Sequence, residues 1–294
     1  MLNDALNFFV YDTIKIFLLL IVIIFIVSIL RTFLPPEKIK KILSHKNNFI
    51  GNVLASMLGV VTPFCSCSAV PLFLGFVEAG VPLGVTFSFL VASPMVNEVA
   101  LVLLLGLFGW KITLIYIASG LVVAILSGIV IGRLKVEGLL EDFAKADGNA
   151  LSLPGLSWKQ RFAYAKDYTF DIVKKIWLYV VIGVGIGALI HGYAPADLIT
   201  RYAGGNNWYG VPLAVLIGIP LYSNAAGVIP LVSVLTEKGV AMGTALAFMM
   251  AITALSFPEF LILKKVMKPK LIVIFACVVG TGIIFTGYLF NWIL

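Results

Sequence analysis

The sequence is short of the residues from which most enzymes and metalloproteins build their sites. It holds two histidines, His45 and His191, and three cysteines, Cys65, Cys67 and Cys277, among 294 residues. Two scattered histidines do not match zinc-ligand spacing, and three cysteines cannot make a disulfide framework. No structural metal and no cofactor are expected. Charge is scarce as well, at 12% of positions. No Gly-rich phosphate loop followed by Lys and Ser or Thr occurs, so energy for any uphill work must come from an ion gradient or a separate subunit.

What fills the chain instead is apolar. Hydrophobic residues make up 61% of positions, in recurring runs of about 20 residues, the length that crosses a bilayer as a helix. An all-α polytopic membrane protein is expected. The net charge of +7 does not point to nucleic acid, because the basic residues sit in short loops between apolar runs rather than on one polar face. The first run, about Thr13 to Leu34, is too long for a signal-peptide core. Asp4 and Asp12 precede it and no small-residue cleavage site follows, so it reads as a retained span.

A shift of 159 residues aligns the chain with itself without gaps from Asp12 to Gly128. Asp12 meets Asp171, Asn47 and Asn48 meet Asn206 and Asn207, Gly59 meets Gly218, Pro71 meets Pro230, Gly84 meets Gly243, and Gly128 meets Gly287. Internal repeats of this size in an apolar chain are the signature of secondary transporters, whose sites lie at the repeat interface near the midplane. The expected organisation is a first membrane repeat over 1–133, a charged, loop-like cytoplasmic linker over 134–169, and a second repeat over 170–294. Each half reads as one long span, a Pro-interrupted stretch (49–81 and 208–240), and two further spans, about 83–107 and 111–132 in the first half. The arms of each interrupted stretch would reach only about 20 Å as helices, short of a core of roughly 30 Å. They therefore read as re-entrant hairpins. Each half then crosses three times, and the second is inverted. Seventeen of the 21 Lys and Arg fall on one side, Lys264, Lys265, Lys268 and Lys270 among them. The positive-inside rule makes that side the cytoplasm and puts both termini outside, in a multi-pass protein of the cell membrane.

The most informative segment is Thr62-Pro63-Phe64-Cys65-Ser66-Cys67-Ser68, at the tip of the first hairpin. Thiolates bind soft metals and metalloids, and irregular backbone at membrane depth is tolerated only where protein or a water-filled cavity surrounds it. In a regular helix Cys65 and Cys67 would diverge by about 200°, whereas in an unwound segment they share a face. If a helix begins near Ser66 to Ser68, its free N–H groups favour a thiolate or an anion, with Ser66 and Ser68 as caps. The opposing tip carries Tyr222, Ser223 and Asn224 and no cysteine. The plainer alternative treats the cysteines as small buried hydrophobes. A Cys65–Cys67 disulfide would close a strained ring. Cys277, aligned with Ala118, reads as packing, and as a third thiol only if its helix faces the hairpin.

Glu98, in Ser93-Pro94-Met95-Val96-Asn97-Glu98, lies where a carboxylate is expensive, and intramembrane acids are functional candidates. Pro94 frees backbone carbonyls, so Ser93 and Asn97 read as lining a broken helix, with Glu98 as a proton carrier. The alternative is a protonated packing residue. Its counterpart, Glu259 in Pro258-Glu259, is displaced by two residues from the strict shift and reads equally as a coupling residue or an interfacial salt bridge. Glu78 and Glu237, each two residues before a glycine, read as solvated charges at hairpin exits, and Asn47, Asn48, Asn206 and Asn207 as caps or turns. His191 reads as interfacial.

The cysteine motif, followed by Pro71-Leu72, Gly80-Val81-Pro82 and Ser93-Pro94, resembles the predicted-permease family that includes the ArsP organoarsenical efflux permeases, along the length of the chain. The resemblance implies a cytoplasmic-membrane permease, and for ArsP-type members export of trivalent arsenicals. It carries Cys65 and Cys67 over as substrate ligands, with Phe64 beside them in the same motif. The expected partners are a small solute or metalloid and the lipid bilayer, without nucleic acid, and a homo-oligomer is compatible with the chain. Transport of a small sulfur-containing anion is the alternative. A membrane thiol-disulfide oxidoreductase is a rival that would need a second cysteine pair or another electron route, and a passive channel shares the same repeat.

Overall fold

The computed structural model describes residues 48–62, 66–140, 157–191, 208–221, 225–264 and 266–293, with scattered positions between 10 and 29. The helices are α1 (Asn48–Val61), α2 (Ser66–Glu78), α3 (Leu83–Met95), α4 (Glu98–Arg133), α5 (Trp158–His191), α6 (Gly210–Gly218), α7 (Ala225–Glu237), α8 (Met242–Ala254), α9 (Phe257–Leu263) and α10 (Pro269–Ile293). Among the described residues there is no strand beyond one isolated bridge, Leu140 to Met267. Three stretches are long and apolar enough to cross a membrane, Glu98–Arg133, Met242–Leu263 and Pro269–Ile293. The all-helical membrane class holds.

Several helix bounds recur at the 159-residue spacing. α2 and α7, α3 and α8, and the starts of α4 and α9 match position for position. The turns match atom for atom. Gly80 (φ 74°) and Gly239 (φ 86°) take the left-handed conformation that only glycine adopts cheaply. The following N–H groups of Val81 and Val240 then donate back to the carbonyls of Phe76 and Leu235, each at 3.0 Å. This closes both helix ends in the same way.

Small residues set how the helices pack. A Cβ on Gly84 would overlap the Gly128 carbonyl oxygen, and one on Gly243 would overlap that of Gly287. Only glycine lets these backbones meet. The contacts also give direction. Ser88 donates to the Ala124 carbonyl (3.1 Å), Gly84 abuts Gly132, and Val96 abuts Gly120, so α3 and α4 are antiparallel. Asn52 accepts from Ser88 (2.9 Å), while Gly59 abuts Ala92, so α1 runs alongside α3 in the same sense. α1 therefore ends beside the last turn of α3, and the Gly80 turn joins α2 to the start of α3.

The segment 137–140 clasps the turn between α9 and α10, with the Lys268 N–H donating to the Leu139 carbonyl at 2.9 Å. Arg133 thus lies at the same end of the bundle as Lys264, Lys268 and Lys270. Two expectations need correction. The linker is not loop-like to its end, since 158–169 is already helix and continues into α5. The cause is a capping box, in which the Ser157 N–H donates to the Gln160 side chain (3.0 Å). Aromatic pairs one turn apart, Trp158 with Phe162 and Tyr164 with Tyr168, reinforce it. The second correction concerns the spans 83–107 and 111–132. α3 stops at Met95, and α4 bends at Gly109 (φ 78°, ψ 176°), a conformation reserved to glycine.

A candidate site at the helix breaks

The break between α3 and α4 is where the sequence sought it. Pro94 lies in the last turn of α3, and the chain extends at Asn97 before turning into α4. Its loose ends are satisfied locally. The Asn97 side chain accepts from the Ala100 N–H at 2.8 Å and donates to the Pro94 carbonyl at 3.2 Å. The Tyr116 hydroxyl donates to the Met95 carbonyl at 2.8 Å, and the same hydroxyl meets the Thr253 side chain of α8. Tyr116 is fully buried and joins the two halves at the breaks. Sequence reading missed it, although a tyrosine deep in an apolar span is a signal, because its hydroxyl must find a partner there.

The predicted site residues fall into three groups. Ser93 is fully buried at the break and Asn97 is its cap. Phe64, Cys65, Tyr222, Ser223 and Asn224 lie outside the described residues, as do the side chains of Ser66, Cys67 and Ser68. The backbone of α2 does begin at Ser66. Cys277 is exposed on α10, opposite the face that buries Phe275 and Val279.

The two carboxylates differ. Glu98 opens α4 and is exposed. Glu259 is fully buried in the first turn of α9. Its place 159 residues back is taken by Ala100, also fully buried. The two-residue displacement of the acid turns it by about 200° around the helix, from the outer face to the inner one. Packing between the halves is exchanged: α2 contacts α9, and α7 contacts α4. The helix of the cysteine motif therefore lies against the helix of Glu259. Among the described residues no cluster of His, Cys, Asp or Glu is arranged to hold a metal ion.

Broken apolar helices, three of spanning length, and a carboxylate buried beside a break are features of polytopic membrane proteins. The chain matches the family model described as "Predicted permease" over residues 1–292, and it belongs to that family. Among its relatives are a UPF0718 protein of Methanocaldococcus jannaschii, 25% identical over 81% of this chain and 82% of its own, and a protein of Streptococcus mutans described as a two-component membrane permease complex subunit, 27% identical over 86% and 82%. The UPF0718 protein YraQ of Escherichia coli is 21% identical over 88% and 73%. No solved structure matches the chain.

Proposed function

We propose that the protein is a secondary transporter that passes a small, thiol-reactive solute, a trivalent arsenical being the best fit, between two re-entrant hairpin tips. The halves act as inverted repeats, in the cytoplasmic membrane, with the linker inside and both termini outside. The observation that carries this reading is the level of the first hairpin tip. Gly59 abuts Ala92 two residues before α1 ends, so α1 ends beside the last turn of α3, which supports a hairpin tip near the break at Val96–Asn97. Cys65 and Cys67 are the ligands, with Phe64, Ser66, Ser68, Tyr222, Ser223, Asn224, Ser93 and Asn97 around them. Soft sulfur and a trivalent metalloid suit each other. Of the two acids, Glu259 fits proton coupling better than Glu98, because it is buried on the helix packed against α2.

The test is uptake of a trivalent organoarsenical into proteoliposomes. Replacing both Cys65 and Cys67 by Ser should abolish it, and unchanged flux with intact, monodisperse protein overturns the reading. One observation favours a second substrate class: α2, α4 and α7 all begin at tips or breaks, so their positive ends would suit a small sulfur-containing anion. Anion flux that survives the double serine variant would establish it. The Streptococcus relative's description also suggests a second subunit as partner. Co-purification from the native membrane, scored against self-association, tests that.

A further inference from the structure

The two halves differ sharply at one place outside the breaks. In the first, a cavity of about 350 Å³ opens at the end of α4, between α1, α3 and α4. Its walls are the apolar side chains of Phe49, Leu83, Val85 and Ile129, and Arg133 and Glu137 stand at it. Both charged residues are exposed. In the second half the matching positions carry larger side chains. Trp208 stands for Phe49, Tyr288 for Ile129, Asn291 for Gly132 and Trp292 for Arg133. There the Tyr288 hydroxyl donates to the Trp208 carbonyl and the Asn291 amide to the Thr244 hydroxyl at 3.3 Å. The first half thus carries the smaller residues at Ile129 and Gly132, and a cation, Arg133, where the second has Trp292.

We propose that this cavity binds a zwitterionic phosphate–ammonium headgroup, that of phosphatidylethanolamine, with the phosphate on Arg133, the ammonium on Glu137 and an acyl chain along Phe49 and Ile129. Three features select this ligand. A single cation beside a single anion complements a molecule bearing both charges rather than a simple anion. Guanidinium pairs with phosphate through two parallel N–H donors. Arg133 ends an apolar helix of spanning length, which puts the cavity at the depth where lipid headgroups meet acyl chains. The apolar walls would be idle with a soluble headgroup. Because α1 is the first arm of the cysteine hairpin and supplies Phe49, an occupied cavity braces that hairpin against α3 and α4. The site stands whether or not the substrate is an arsenical.

The experiment is native mass spectrometry of detergent-purified protein titrated with short-chain phosphatidylethanolamine or phosphatidylglycerol. Wild type should retain phosphatidylethanolamine in preference. Arg133→Gln should weaken both lipids about tenfold, the loss of one charge-assisted contact. Glu137→Gln should erase the preference while leaving phosphatidylglycerol bound. Ile129→Tyr, which puts the larger side chain of the matching Tyr288 into the cavity wall, should lose both. The two charge variants lie at exposed positions, so the test does not depend on Ile129→Tyr folding. Wild-type phosphatidylethanolamine binding in Arg133→Gln would overturn the site. Competition by free phosphoethanolamine as strong as by the lipid would overturn the lipid assignment.

Discussion

Ala100 and Glu259 stand at matching places 159 residues apart, each fully buried in the first turn of a helix that follows a break, yet one presents a methyl group and the other a carboxylate. The same contrast recurs nearby. Tyr116 and Phe275 match, and only the tyrosine has a hydroxyl to give to the end of a broken helix. Phe275 instead sits between the rings of Phe87 and Phe260. Asn97 and Ser256 match as caps, and only Asn97 bonds the helix it caps. The backbone plan is shared because glycines and prolines dictate it. The chemistry is not shared, because side chains are free to differ where the backbone is already held. A solute passing between the halves would therefore meet two different walls, with the buried acid on one and the polar latch on the other.

The largest effects should come where the halves are alike. A Cβ on Gly128 would overlap the Ser88 hydroxyl and the Gly84 carbonyl, and one on Gly287 would stand 2.5 Å from Val211 and 2.8 Å from Ala247. The Gly84 carbonyl cannot step aside as a flexible side chain can, and the Ala247 Cβ moves only with its own backbone. Gly128→Leu and Gly287→Leu should each cost at least about 3 kcal/mol, seen as loss of monodisperse protein on size-exclusion chromatography. Survival of either variant would break the idea that the two interfaces are equivalent.

The next effect distinguishes them. Tyr116→Phe strands the Met95 carbonyl in an apolar interior and should cost about 1–3 kcal/mol. Phe275→Tyr adds a buried hydroxyl among aromatic rings and should cost a similar amount for the opposite reason. The double exchange should not restore stability, because Met95 has its counterpart in Ala254 at a different helix end. Thermal unfolding in detergent, followed by tryptophan fluorescence, would report all three. Full recovery in the double variant would mean the halves are interchangeable here.

The repeat was legible because the residues that reveal it are those that backbone geometry constrains. Gly80 and Gly239 are needed at a left-handed turn, and Gly84 and Gly128, with Gly243 and Gly287, where helices touch. Three things were not legible for equally physical reasons. The start of α5 was hidden by its charges, although Ser157 and Gln160 carry a capping-box spacing. The burial of Glu259 was hidden because it is offset from Glu98 by two residues, which turns it by about 200° to the inner face of its helix. The bend at Gly109 was hidden because a single glycine in an apolar run looks like any other small residue in a membrane helix. The hairpins were inferred from arm length, and the direction of α1 along α3 supports them.

Gly109 itself offers the third prediction. Its φ of 78° with ψ of 176° is accessible to glycine alone, and a Cβ there would meet nothing within 4 Å, so any cost of Gly109→Ala is conformational. About 1–3 kcal/mol is expected. The matching position in the second half is Lys268, where the chain turns by a longer loop clasped to 137–140. Lys268→Ala keeps the backbone N–H that bonds Leu139 and loses only the side-chain contact to the Gly138 carbonyl (3.3 Å), so it should cost well under about 1 kcal/mol. Equal costs would mean the two turns are built alike.

The smallest difference is at the caps. Asn97 accepts the Ala100 N–H at 2.8 Å, and removing that acceptor by Asn97→Ala leaves a helix N–H without its partner beside a break in an apolar span. A cost of about 1 kcal/mol follows. Ser256 is buried at the matching cap and makes no cap bond with its side chain, so Ser256→Ala removes a hydroxyl that stabilises nothing and should be neutral or slightly stabilising. The informative variant is Ser256→Asn, which gives the second half the cap of the first. If the two breaks share a backbone and differ only in side chains, the longer amide should reach the Glu259 N–H and recover part of that 1 kcal/mol. A clear loss of stability would show that the burial of Glu259 has already reshaped the second break, and that the asymmetry extends into the main chain.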